Sequence, residues 1–162
     1  MCSIEILSKD TTAYQQAIQA VANIEALVQA QEAWATQTLV EMLAQDSVKI
    51  LIVFEKANKA INNDVIGYCL YQEMFEQAEI LRIGTHPNYQ RQGIASKLFA
   101  TLHSALIDSQ VKSLLLEVRS DNVPAIGLYE QQGFTVIHRR KGYYHVPHQP
   151  AIDALIMQRT YE

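Results

Sequence analysis

The stretch "PNYQRQGIASKLFATL", residues 87–102, decides the fold. It opens as a loop and closes as an amphipathic helix, with Ile94, Leu98, Leu102 and Leu106 recurring at helical spacing and Gly93 and Ala95 at the join. A strand ending at Pro87, followed by a helix from near Gly93, puts consecutive backbone N–H groups and the positive end of a helix dipole on one side. Such an arrangement holds anions. Gly93 lets the backbone approach a phosphate closely, Ala95 does not intrude, and Arg91 and Ser96 add a charge and a hydroxyl. On spacing alone, a plain strand-to-helix turn in which Gly93 only relieves strain is an equal reading.

Outward from this join, the order of elements defines an architecture. "SIEILS" alternates like a short strand, and Asp10 or Thr11 caps a long helix carrying Ala17, Ile18, Val21, Ile24, Leu27 and Val28. A break at "EAWAT" leads to a shorter helix with Leu39, Val40 and Leu43. "VKILIVFEK" and "DVIGYCLYQEMF" form a hairpin through the polar "ANKAINN", and "AEILRIGTHP" adds a third strand. "SLLLEVRS" reads as a buried strand and "NVPAIGLYEQQG" as a helix with Pro124 in its first turn and Gly133 as its stop. "FTVIHRR" and "AIDALIMQR" complete a mixed α/β domain, a central sheet with helices packed on its faces.

Composition bounds the function. A chain of 162 residues, 49% hydrophobic and carrying net charge -4, fits one domain spanning 1–162 with no general field for nucleic acid. Its two cysteines, Cys2 and Cys69, make neither a disulfide framework nor a zinc spacing, which indicates a reducing compartment. Cys69 reads as a small core residue. His145 and His148 lack companions at ligand spacing, so no metal is expected. No leader or membrane span is legible, and a cytoplasmic protein without membrane contact is expected.

"QRQGIA" (90–95) resembles the Q/R-x-x-G-x-G/A pyrophosphate loop of the GCN5-related N-acetyltransferases, and "LEVRSDNVPAIGLYEQQGF" (116–134) resembles a later block of the same family. The likeness is strongest to its RimI-type branch, the alanine N-acetyltransferases of ribosomal proteins. It runs from Ala78 to Tyr144 and returns at "DALIM", while residues 1–77 match mainly in element order and in Trp34. The resemblance implies the GNAT fold: a mixed, mostly antiparallel sheet with helices on both faces, whose splayed strands four and five admit acetyl-CoA.

It further implies that Ile83, Gly84 and Thr85 bind the pantetheine arm and that Arg91, Gln92, Gly93, Ile94, Ala95 and Ser96 form the pyrophosphate loop, joined by Asn122. Two places depart from the family pattern: Gly84-Thr85, where a small residue and valine are usual, and Ala95, where glycine is common.

Glu117 interrupts a strand of leucines, where a carboxylate must be hydrogen-bonded, paired or in a wet cleft. Pairing with Arg119 or exposure at an edge would explain it. The resemblance instead makes it the general base, because an α-amino group with a pKa of about 8 must lose a proton before it attacks a thioester. Tyr129 is either a core aromatic spaced from Ile126 or, by resemblance, the acid beside the leaving thiolate. Asn122 serves equally as a helix N-cap.

A direct transfer in a ternary complex follows, with no covalent acyl-enzyme, since Cys69 has no activating partner in the sequence. "HRRKGYYHVPH" resembles the branch's peptide-groove segment, which makes Tyr143 and Tyr144 acceptor contacts, with Trp34 as an opposite wall. The alternatives are a charged, solvated edge at Arg139 to Lys141 and partly buried aromatics. The expected partner is the N-terminus of a small-subunit ribosomal protein, without direct nucleic-acid binding. Acetylation of a small-molecule amine, or a non-catalytic acyl-CoA-binding module, are the other readings.

Overall fold

A computed structural model describes residues 2–9, 13–29, 32–55 and 64–161. The elements in chain order are β1 (Cys2–Ile6), α1 (Ala13–Val28), α2 (Thr36–Leu43), β2 (Val48–Glu55), β3 (Asp64–Met74) and β4 (Gln77–Thr85), followed by α3 (Ile94–Asp108), β5 (Ser113–Arg119), α4 (Val123–Gln131), β6 (Thr135–Tyr144) and β7 (Ile152–Thr160). The cap assigned to Asp10 or Thr11 and the connection "ANKAINN" lie outside the described residues. Hydrogen bonds order the strands β1-β2-β3-β4-β5-β7-β6. Neighbours pair antiparallel at β1–β2, β2–β3, β5–β7 and β6–β7, and parallel at β4–β5, which makes the expected mixed sheet. The parallel pairs run from Gln77↔Ser113 to Glu79↔Leu115, whereas β4 continues to Thr85 and β5 to Arg119. No helix among the described residues is long and apolar enough to cross a membrane.

The chain divides into two compact units, one drawn from 1–72 and 81–105, the other from 73–80 and 106–162. In the first, Ile18, Val21 and Ile24 of α1 and Leu39 and Leu43 of α2 pack with Val48, Ile50 and Ile52 of β2 and Tyr68 and Leu70 of β3. Each such side chain removed from water contributes about 1.5–3 kcal/mol, so the amphipathic stripes suffice to seat both helices. The stripe read from the sequence needs two corrections: Leu27 is 58% and Val40 40% exposed. The inward place beside Ile24 is taken instead by Glu25, which is fully buried. Cys69 is a core residue, and burial pushes its thiol well above the usual range. The stripe of α3 holds at every position, Ile94, Leu98, Leu102 and Leu106 all being buried.

In the second unit, β5 alternates rather than being buried throughout: Leu114, Leu116 and Val118 are buried, while Ser113, Leu115, Glu117 and Arg119 share the other, half-buried face. The helix that follows is delimited as its residues dictate. Asn122 Oδ1 accepts from the Ala125 N–H at 3.3 Å, Pro124 occupies the first turn, and Gly133 ends the turn at φ +87°.

Candidate active site

The loop read from the sequence as a phosphate cradle, and its approach, belong to the first unit. After Thr85, His86 begins a short 3-10 turn at Pro87–Tyr89, accepting the Asn88 N–H on its Nδ1 at 3.1 Å. The side-chain amides of Gln90 and Gln92 donate to Thr85 O and Asn88 O, each at 3.2 Å, and Tyr89 donates to Glu55. Arg91 and Gly93 then take left-handed φ of 61° and 80° before α3 starts. Arg91, Gln92, Gly93 and Ser96 are exposed, Ala95 is half-buried and Ile94 anchors the loop in the core. The first main-chain bond of the helix runs from the Lys97 N–H to Gly93 O at 3.1 Å, and the amides that open a helix have no partner within it. A Cβ on Gly93 would meet nothing within 4 Å, so the space over these amides is open.

Gly84 is set by a different constraint. A Cβ there would lie 2.6 Å from Tyr68 Oη and 2.9 Å from its Cε1 and Cζ. Tyr68 cannot yield easily, because it is fully buried and donates its hydroxyl to Glu25 Oε1. Burial and the neighbouring carboxylate hold the Tyr68 phenol far above its usual range. Glu25 Oε2 also accepts from the Trp34 N–H at 3.0 Å and from Arg82 Nε and Nη2 at 3.0 and 2.6 Å. A buried carboxylate so fully paired is stable, and stripping one partner from such a group typically costs about 3–5 kcal/mol.

The remaining residues belong to the second unit. Glu117 projects from the half-buried face of β5, its side chain 27% exposed. Its Oε2 accepts from Tyr144 Oη at 3.4 Å, and Arg140 Nη1 stands 3.8 Å from Oε1, beyond hydrogen-bond reach. Oε1 is itself buried and accepts no hydrogen bond among the described residues. Arg119, the neighbour on the same strand, binds Asp121 through two bonds of 3.0 and 2.9 Å and holds the Asp121 carboxyl below its usual range.

Glu79 also bears on this carboxylate. It opposes Leu115 in the parallel ladder, one alternation from Glu117 on the same face. Partial desolvation, then the Glu117 charge, raise its pKa, while Arg140 opposes the rise. The sequence reading missed both Glu79 and the Arg140 contact. Tyr129 is buried on α4 and meets Phe134 edge to face at 6.0 Å, so its packing is that of a core aromatic. Tyr143 is 49% exposed and Tyr144 half-buried, the two rings perpendicular at 5.2 Å. Trp34 is half-buried in the first unit, between α1 and α2. Among the described residues no group of three or more His, Cys, Asp or Glu could hold a metal ion.

A bulge in β6 places Tyr144. The register with β7 shifts between Arg140 and Tyr144, where Gly142 adopts φ +64°. Asp153 fixes the bulge, accepting from the Gly142 N–H and from Arg139 Nη1 at 2.8 Å each, and these bonds lower its pKa. An unfolded carboxyl of ordinary pKa then binds more protons than the folded one in the acid range. The stabilisation is therefore complete above about pH 4 and disappears as pH falls through the lower folded value. Urea midpoints measured from neutral to acid pH should fall more steeply in the wild type than in Asp153→Asn. Equal slopes would show that Asp153 does not hold the bulge.

The sequence model of the Acetyltransferase (GNAT) family matches residues 16–134. The [Ribosomal protein bS18]-alanine N-acetyltransferase of Haemophilus ducreyi is 34% identical over 95 residues, 59% of this chain and 66% of that protein. A Bacillus subtilis protein named as a putative enzyme of the same kind is 30% identical over 127 residues, 78% of this chain and 79% of its own. The crystal structure of the ribosomal-protein-S18-alanine N-acetyltransferase from Escherichia coli superposes with a TM-score of 0.81 at 26% identity, over 99% of this chain and 94% of that one. The first curated relatives are matched over only 56% to 66% of their own length. With the family model spanning most of the chain and the strand order in agreement, this chain belongs to the GNAT acetyltransferase family.

Proposed function

We propose that this chain, acting as one domain, is an N-α-acetyltransferase that moves an acetyl group from acetyl-CoA to the N-terminal alanine of a small-subunit ribosomal protein in the cytoplasm. The observation that carries this reading is the partly exposed Glu117 carboxylate, one oxygen of which accepts no hydrogen bond among the described residues while the Tyr144 phenol donates to the other. The names of its bacterial relatives support the acceptor class.

The residues fit the donor. The open space at Gly93 and the amides that begin α3, which have no partner within the helix, suit a pyrophosphate, with Arg91 and Ser96 beside them. Ile83, Gly84 and Thr85 offer strand amides to the pantetheine arm, and Asn122 caps α4 while presenting its remaining donors. Bound acetyl-CoA supplies an activated thioester acetyl group. Glu117 takes a proton from the acceptor's ammonium, directly or through a water, which frees the nitrogen lone pair for attack. Tyr129 holds a proton at Oη for the departing thiolate. Trp34, Tyr143 and Tyr144 bound the acceptor. No metal, nucleic acid or membrane takes part.

Mass spectrometry of synthetic peptides incubated with acetyl-CoA tests this. Peptides that begin with alanine and copy ribosomal N-termini should gain one acetyl group on the α-amine. Acetylation of polyamines or aminoglycosides with no peptide product would overturn the acceptor assignment, and no transfer to any amine would overturn the activity.

A further inference from the structure

Arg82 lies one residue before Ile83 on β4, yet its side chain turns back to the segment joining α1 and α2. Its Nη2 donates both to Glu25 Oε2 at 2.6 Å and to Glu32 O at 2.8 Å, and its guanidinium lies 5.1 Å from the centre of the Trp34 ring. The Trp34 N–H is held by the same Glu25 oxygen. Trp34 is therefore fixed at its backbone and at its ring face by two charges that satisfy each other. Tyr68, which dictates Gly84, hangs on the other oxygen of that carboxylate. One buried group thus ties together helix α1, the Trp34 segment and the end of β4.

We propose that the Glu25–Arg82 pair is a latch that positions Trp34 for the acceptor, which makes Arg82 a determinant of acceptor affinity. The inference rests on the acceptor reading above. Arg82 and Glu25 are positioning residues and touch no reacting atom. A planar guanidinium suits this task, since it can bridge a carboxylate and a carbonyl while stacking on a ring; an ammonium cannot do all three. Without the latch, the segment around Trp34 would have to order each time an acceptor binds, which weakens binding without altering the chemistry.

The test uses Glu25→Gln/Arg82→Gln, in which no unpaired buried charge is left, beside Arg82→Lys; circular dichroism verifies that both fold. Steady-state kinetics with an alanine-leading peptide and acetyl-CoA should show acceptor KM raised about fivefold or more in the double variant, with kcat and donor KM moving by about twofold at most. Arg82→Lys should fall between it and the wild type. Trp34 is the chain's one tryptophan, so its emission reports the latch directly. The double variant should emit further to the red and be quenched more readily by acrylamide. Acceptor and donor KM rising together, or neither rising in a folded variant, would overturn the inference while leaving peptide acetylation intact. A wild type that acetylates no peptide would overturn the acceptor reading. In that case equal quenching of Trp34 in wild type and double variant overturns the latch, and unequal quenching upholds its hold on Trp34.

Discussion

Replacing Glu117 with glutamine should slow acetyl transfer by about 10²–10⁴-fold, the range over which a positioned base usually contributes. The substitution keeps the shape of the side chain and an oxygen able to accept from Tyr144, so unfolding midpoint and donor affinity should stay at wild-type values. What it removes is the carboxylate charge, whose Oε1 accepts no hydrogen bond among the described residues and has Arg140 Nη1 3.8 Å away. Tyr129→Phe should also lower kcat. If both variants stay within about twofold of wild type, the acid–base assignment fails.

Glycine-to-alanine at position 84 should be costly to stability, although it adds only a methyl group. That carbon would stand 2.6 Å from Tyr68 Oη, in a core where Tyr68 is fully buried and held by Glu25. Overpacking of this kind destabilises by about 1–3 kcal/mol, and in a chain of this size each kcal/mol lowers Tm by about 2–4 °C. The same clash would displace the strand proposed to bind the donor, so acetyl-CoA affinity should fall with stability. Tyr68→Phe alone should cost stability through its lost bond to Glu25. Combined with Gly84→Ala it should cost less than the sum, because removing Oη relieves the nearest contact. Urea unfolding of the four proteins decides this. An unchanged midpoint for Gly84→Ala would mean that Tyr68 moves aside freely.

Periodicity alone located most of the scaffold. The stripe of α3 was complete in the sequence because each of its four leucine and isoleucine positions is satisfied by burial alone. Asn122 and Gly133 marked the ends of α4 because caps act within a few residues. Glu25 was invisible for the opposite reason. A carboxylate on an inward face contradicts the hydrophobic pattern until its partners are known, and those partners, Tyr68 and Arg82, lie 43 and 57 residues away on other strands. Glu117 stood out as a carboxylate among leucines, but its contact with Tyr144, 27 residues away, was not legible. Arg119, the neighbour that sequence proximity offered, binds Asp121, two residues on, at two points.

The side chains of His86, Gln90 and Gln92 bind the main chain of their own loop, and Arg91 and Gly93 already hold left-handed backbone conformations. The conformational entropy of that loop is therefore lost once, when the chain folds, and not again at each turnover. Capture of the donor should accordingly proceed as rigid docking, with an association rate insensitive to loop dynamics and amide-exchange protection confined to the amides that open α3, residues 86–90 changing little.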